Sequence, residues 1–329
     1  MRTSTSHVII FGVGFALAAC GPNDRGSDDI AGDDSAGDDS AGDDSAGDDS
    51  TNPPSARCQA MDIVFVVDDS GSMQEEQSNL ATNFPQFAQV LDSYEVAPGQ
   101  PLDYRVALTT TGRTITTTLV IPGFPEIPLT EQGDNGAFRD TCGSPKRWID
   151  RADGNLGSTL ACRANVGTNG PGSAEMPLYG GMLGLSDRIV DHTNEGFLRD
   201  DALLAIVMIT DEDDCSRTDD NIAMGPTDNI CAPGPDGHVS AEDAVAFYDA
   251  LKGGRGRWAA AVVAGPTACS SGFGDAAEAT KLKHFVTTMN TGGPQNGVFS
   301  SICDGNLATS LQQALDTFQA ACESFPPIE

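Results

Sequence analysis

Basic residues are scarce in this chain. Eighteen lysines and arginines stand against 48 aspartates and glutamates in 329 residues, a formal net charge of −30. That deficit argues against nucleic acid as a partner, because binding a polyanion needs a basic face, and against electrostatic adhesion to anionic lipid. With four histidines and no short paired cysteine spacing, the chain has little from which to build a zinc site. No glycine-rich loop ends in Lys-Ser or Lys-Thr, so a nucleotide-phosphate cradle is not expected. The apolar run 8–19 is too short for a stable membrane span.

That run reads as part of an export signal. Arg2 gives the positive start, and Leu17-Ala18-Ala19-Cys20 ends the segment with small residues before a cysteine. The ending resembles the lipobox of bacterial lipoproteins. The resemblance implies removal of residues 1–19 and lipidation of Cys20 in a Gram-negative envelope, with two or more acyl chains giving stable anchoring. Gly21 follows Cys20, where aspartate would signal inner-membrane retention, so the outer membrane is favoured over the inner. Residues 20–57 carry Ala-Gly-Asp-Asp-Ser four times over (Ala31 to Ser50) and then Pro53-Pro54. Small residues and repeated like charges cannot build a core, so this segment is expected to be a solvated tether. The first 57 residues hold eleven aspartates and three arginines, so most of the acid excess belongs to the folded remainder, placed at 58–325.

Beyond Cys20 there are eight cysteines, an even number that in an exported chain reads as four disulfides. Loop closure suggests Cys142 with Cys162, Cys215 with Cys231, Cys269 with Cys303, and Cys58 with Cys322, among about 105 pairings that eight cysteines allow.

Ile63–Val67 is a continuous β-branched and aromatic run, the pattern of a central strand covered on both faces. Ala202–Thr210 is a second such strand and Trp258–Val263 a third. Helices are expected over Gln74–Asp92, interrupted at Pro85, and over Met176–Val190, Ser240–Leu251, Ala276–Met289 and Leu307–Ala321, with a short strand at Gly297–Ile302. Asp103–Thr110 and Thr114–Ile121 read as a hairpin turning at Gly112. The polar stretch from Pro122 to Ala174 reads as a disulfide-stapled insert, with Trp148 as its packing anchor. Strands alternating with helices imply an α/β fold: a doubly wound, mostly parallel Rossmann-like sheet with helices on both faces.

The first buried strand ends in Asp68-x-Ser70-x-Ser72, a carboxylate and two hydroxyls at alternate positions. The second ends in Ile209-Thr210-Asp211. Open α/β sheets bind ligands at that edge, and hard oxygen donors of this kind suit a divalent cation. Together these motifs resemble the von Willebrand factor A domain over Met61 to Cys322. The resemblance implies a metal-ion-dependent adhesion site (MIDAS) holding Mg²⁺, or Mn²⁺ or Ca²⁺, with Asp68, Ser70, Ser72 and Asp211 in the ligand set. The family's second-loop threonine is not obvious here; Ser173, Glu175 and Thr168 stand near its place. The implied role is cation-mediated binding of an extracytoplasmic protein or polysaccharide that offers an acidic or oxygen-rich contact, with no covalent chemistry.

Three alternatives compete. Asp68 and the serines would, in the first, only cap the helix near Gln74. In the second, a cation and four disulfides stabilise an envelope domain that binds by another face. The third is a hydrolase, since Asp69-Ser70-Gly71 matches an aspartic-protease turn. No second such turn occurs, and His192, His238 and His284 lie in no triad context. Asp213, Asp214, Asp219 and Asp220 read as a solvated acidic loop before a second cation site, and Asp150, Asp153 and Asn155 as a calcium-loop fragment lacking its terminal glutamate.

Overall fold

The computed structural model describes residues 58–170, 174–231, 237–272 and 274–326. The export segment, Cys20, the acidic repeat and Ser173 lie outside them. Among the described residues no helix is long and apolar enough to cross a membrane.

Six strands make the central sheet: β1 (Ala60–Val67), β2 (Asp103–Thr110), β3 (Trp148–Asp150), β4 (Leu203–Ile209), β5 (Trp258–Ala264) and β6 (Gly297–Ser301). Their spatial order is β3-β2-β1-β4-β5-β6. Every neighbouring pair is parallel except β2 with β3, which is antiparallel at the edge. The chain winds outward from β1 through β2 to β3, then crosses to β4 and winds out the other way. This is the doubly wound α/β arrangement, and its crevice for ligands lies where the order reverses, at the carboxyl ends of β1 and β4.

Six helices cover the two faces: α1 (Gln74–Ser93), α2 (Leu156–Arg163), α3 (Pro177–Leu185), α4 (Ala241–Lys252), α5 (Thr280–Asn290) and α6 (Leu307–Glu323). The strand period of two divides the buried residues of β1 between them. Ile63, Phe65 and Val67 pack against α1, α2 and α6 in one cluster, while Val64 and Val66 pack with Leu178, Tyr248 and Phe285 from α3, α4 and α5 in the other. Phe65 meets Phe84 and Phe87 edge to face at 4.9 and 5.3 Å between ring centroids. Truncating such a ring to alanine costs about 3–5 kcal/mol.

All four expected disulfides form, with Cα separations of 4.9 Å for Cys58–Cys322, 6.1 Å for Cys142–Cys162, 4.6 Å for Cys215–Cys231 and 6.3 Å for Cys269–Cys303. Pro85 does not interrupt α1. It sits on the exposed side, where water can meet the Ala81 carbonyl that its missing N–H leaves free. The expected long helix from Met176 breaks at Ser186 into α3 and a short turn, Asp187–Val190. The capping box of Ser240 and Asp243 is present at the start of α4.

The expected hairpin does not form. Asp103–Thr110 lies parallel to β1 in the central sheet. Ile115–Leu119 instead joins a separate small sheet, antiparallel to Ile127–Glu131 and parallel to Asn221–Met224. Arg113 accounts for the departure: its buried guanidinium donates to the carbonyls of Arg217, Thr218 and Asp219 and to the Asp220 carboxylate, drawing the chain off the central sheet. The polar stretch 122–174 contains β3 and α2. Trp148 is indeed a packing anchor there, with its ring against Phe197 and under Arg105.

Candidate cation site at the strand switch point

The backbone N–H of Asp68 donates to Ile209 O at 2.9 Å, which holds the two loop starts side by side where the strand order reverses. The Asp68 side chain is fully buried. Its Oδ1 accepts from the Ser70 N–H at 2.7 Å and its Oδ2 from the Thr210 hydroxyl at 2.6 Å. The Thr210 oxygen in turn accepts from the Glu212 N–H at 3.1 Å. Gln77, from the first turn of α1, donates to Asp68 O at 2.9 Å and to Gly167 O at 2.8 Å, tying the first loop to the second. Ser70 Oγ and Ser72 Oγ are 3.0 Å apart, and Ser72 hydrogen-bonds Asp211. Ser72 is exposed, so the site opens to solvent on that side.

The helix-cap alternative does not hold. Neither Ser70, at the start of the turn Gly71–Met73, nor Met73, at the start of α1, makes a side-chain capping bond. The hydroxyls bond instead to one another and to the carboxylates of the site.

Asp68, Ser70, Ser72, Asp211 and Glu175 come together. Ser173 falls outside the described residues, and Thr168 places its backbone carbonyl beside Gly71. Glu175 is the second-loop residue that meets the site: it is 2% exposed, feels the charge of Asp68 and hydrogen-bonds Glu212. Three buried carboxylate oxygens here have no hydrogen-bond partner: Glu76 Oε2, Glu175 Oε1 and Asp211 Oδ1. An unsatisfied buried polar group costs about 1–3 kcal/mol, and more when charged, so these oxygens are available to a further ligand.

Electrostatics agree. Burial, aided by the Asp68 charge, pushes Asp211 up to about 6. Glu76 rises to about 7 by burial, with the charges of Asp211, Glu75 and Asp68 adding to it. Glu175 is driven up by burial and then by Asp68 and Glu212. Asp68 is raised by burial against the opposing bonds from Thr210 and Ser70. Among the described residues no three His, Cys, Asp or Glu side chains form a ready-made metal cage. The donor set is therefore mixed, hydroxyls beside carboxylates, which suits a hard cation that keeps some of its water.

Thr210, Glu76 and Gln77 were not expected here. Thr210 stands beside an expected ligand, and a polar residue at that strand end was a usable signal. The others are buried only by tertiary packing.

The remaining acidic groups are engaged elsewhere. Asp213 caps α5 by accepting from Lys281 N at 2.9 Å, and buried Asp214 accepts from Leu178 N at 3.1 Å and from Ser216. Asp219 pairs with Arg217 and Asp220 with Arg113. These four residues thus form neither a second cation site nor a merely solvated loop. Asp150 and Asp153 make a capping box and bind Lys146.

No family model matches the chain, and no curated protein matches it. Among solved structures it is similar to PTMP1 from the mussel byssus, with 13% identity, 80% of this chain and 49% of that chain covered, and a TM-score of 0.37. A second PTMP1 structure is described as having a zinc occupied MIDAS motif. It is also similar to the pilus adhesin SpaC from Lactobacillus rhamnosus GG, with 14% identity, 80% and 31% coverage and a TM-score of 0.41. A human COPII-coat protein matches at 10% identity, 81% and 32% coverage and a TM-score of 0.39. The chain spans half or less of the length of each of these proteins. At such scores the likeness carries no functional assignment.

Proposed function

We propose that this chain is an envelope lipoprotein, anchored through Cys20, preferentially in the outer membrane. Its von Willebrand factor A-like domain binds a protein or polysaccharide partner through a divalent cation. Asp68, Ser70 and Ser72 would hold the cation, with Asp211 and Glu175 completing the protein's share of the shell. The observation that carries this reading is the set of unpartnered, buried oxygens of Asp211 and Glu175 around Asp68 at the switch point. A bound Mg²⁺ would supply an electrophilic position that an acidic or oxygen-rich partner group can occupy. The chain's own contribution is to orient Asp68 through the bonds from Ser70 N–H and Thr210, and to leave the Ser72 side open. The reading includes no covalent chemistry.

A structural role for the cation is the competing reading. Glu175 favours it, because a carboxylate where the family has threonine adds a negative charge and weakens the pull on an incoming carboxylate.

Capture of envelope components by the purified protein separates the two. Capture should require Mg²⁺ and be lost with EDTA and in the Asp68→Ala, Ser70→Ala double variant. Retention of the same components in all three conditions would refute the adhesive reading, and loss of thermal stability alone under EDTA would establish the structural one.

A further inference from the structure

The Asp69 carboxylate serves neither the strand pairing nor the site at Asp68. Successive side chains at a strand end point to opposite sides. Asp68 turns toward Thr210 on β4, whereas Asp69 hydrogen-bonds Thr110 at the end of β2. Asp69 is 8% exposed and its Oδ1 is buried without a hydrogen-bond partner. It lines a cavity of about 270 Å³ together with Gln132, Asp134, Asn169 and Gly170. Asp134 is half-buried and gives one oxygen, Oδ2, to Arg139 at 3.0 Å.

Gly170 shows how closely this cavity is fitted around Asp69. Its N–H donates to Asp69 O at 3.0 Å, and a Cβ on Gly170 would fall within the van der Waals envelope of the Asp69 carboxylate. Asp69 and Asp134 line this small polar space together with the exposed residues Gln132 and Asn169, and the Gln132 amide oxygen also accepts from the Thr114 hydroxyl at 3.4 Å. All are oxygen donors of the kind calcium takes six to eight of, in flexible geometry, at about 2.3–2.6 Å. Mg²⁺ demands a stricter octahedron and would rather keep its water.

We propose that this cavity is a second cation site, for Ca²⁺, built on Asp69 and Asp134 with the amide oxygens of Gln132 and Asn169. Arg139 offsets part of the anionic charge, so the affinity belongs in the range of extracellular calcium modules, a Kd on the order of 10⁻⁴–10⁻³ M. The site clamps the base of the small-sheet hairpin, at 132–134, to the loop that leaves β1. It stands independently of the cation reading at Asp68.

The test is Ca²⁺ binding by the full chain, followed by equilibrium dialysis and metal analysis, with all variants carrying the same acidic repeat. Asp134→Asn and Gly170→Ala should each weaken one calcium equivalent at least about tenfold, while Asp68→Ala leaves that equivalent in place. Gly170→Ala changes no charge, so its effect cannot come from the repeat. If it fails to fold, as judged by near-UV circular dichroism in EDTA, Asp134→Asn on its half-buried side chain still decides. Isotherms of both variants that superimpose on wild type overturn the proposal. So does a loss seen only with Asp68→Ala, which would assign all specific calcium to the first site. Water filling the cavity gives that same unchanged result for Asp134→Asn and Gly170→Ala.

Discussion

The Thr210 hydroxyl donates to Asp68 Oδ2 at 2.6 Å across the seam between β1 and β4. A hydroxyl that donates to a carboxylate fixes which of its oxygens is left for another ligand, the role outer partners play at metal sites. Thr210→Val should therefore lower the affinity for Mg²⁺ or Mn²⁺ about 10- to 100-fold, and Thr210→Ser should restore most of it. Calorimetric titration of both variants is the check. Equal affinities for the two would remove Thr210 from the site.

Cation-free stability should rise on acidification, opposite to the behaviour of a domain held by ion pairs. Burial raises Glu76 to about 7 and Asp69, Asp211 and Asp214 to about 6, whereas unfolded carboxylates titrate near ~4. Between those values the native state binds more protons than the unfolded state, so stability falls as pH rises through the window and returns as pH drops. Lys252, lowered to about 8, has already lost its contribution by that pH and does not affect the window below it. Urea unfolding in EDTA should show a gain on the order of 6 kcal/mol from pH 8 to pH 5. Saturating Mg²⁺ should flatten the slope by holding the site carboxylates ionised. A cation-free stability that is flat or falls toward pH 5 would contradict the burial of these groups.

How much of this was legible depends on how local each feature is. The strands β1, β4 and β5 were readable because they are buried on both faces, and so nearly every residue is apolar. β3 has three residues and no period to detect. Ile115–Leu119 was recognised as a strand but given the wrong partner, because alternation reveals a strand and not its neighbour. In the site, Asp68, Ser70, Ser72 and Asp211 were visible as polar residues at the ends of apolar strands. Glu76 was not, since an acid in the first turn of a helix reads as a solvated partner of the macrodipole. In the fold its carboxylate is buried close against Gly274, where a Cβ would clash with it.

The disulfides differ in the loops they close, and their removal should follow that order. Cys58–Cys322 spans 264 residues and joins the start of β1 to the end of α6, where Cys58 N also donates to Cys322 O at 2.9 Å. Cys215–Cys231 spans 16. On the chain-entropy account the paired serine replacement should cost on the order of 5 kcal/mol for the first and about 3 kcal/mol for the second. Denaturant midpoints of the two double variants check the ranking. A larger loss for Cys215–Cys231 would mean that this bridge acts by holding Glu175, whose carbonyl accepts from Cys215 N at 2.8 Å.

The small-sheet hairpin should be dispensable for stability despite its apolar surface. Phe124 is 70% exposed, Leu129 56% and Ile127 46%, so their side chains gain little from folding. Ile127–Glu131 is an edge of its three-stranded sheet, and Pro128 within it lacks the N–H that a further strand would need. Phe124→Ser with Leu129→Ser should thus leave the unfolding free energy within about 0.5 kcal/mol of wild type and raise the concentration at which the protein stays monomeric in light scattering, because the exposed apolar patch is reduced. A loss of 2 kcal/mol or more would show that these side chains are covered in solution.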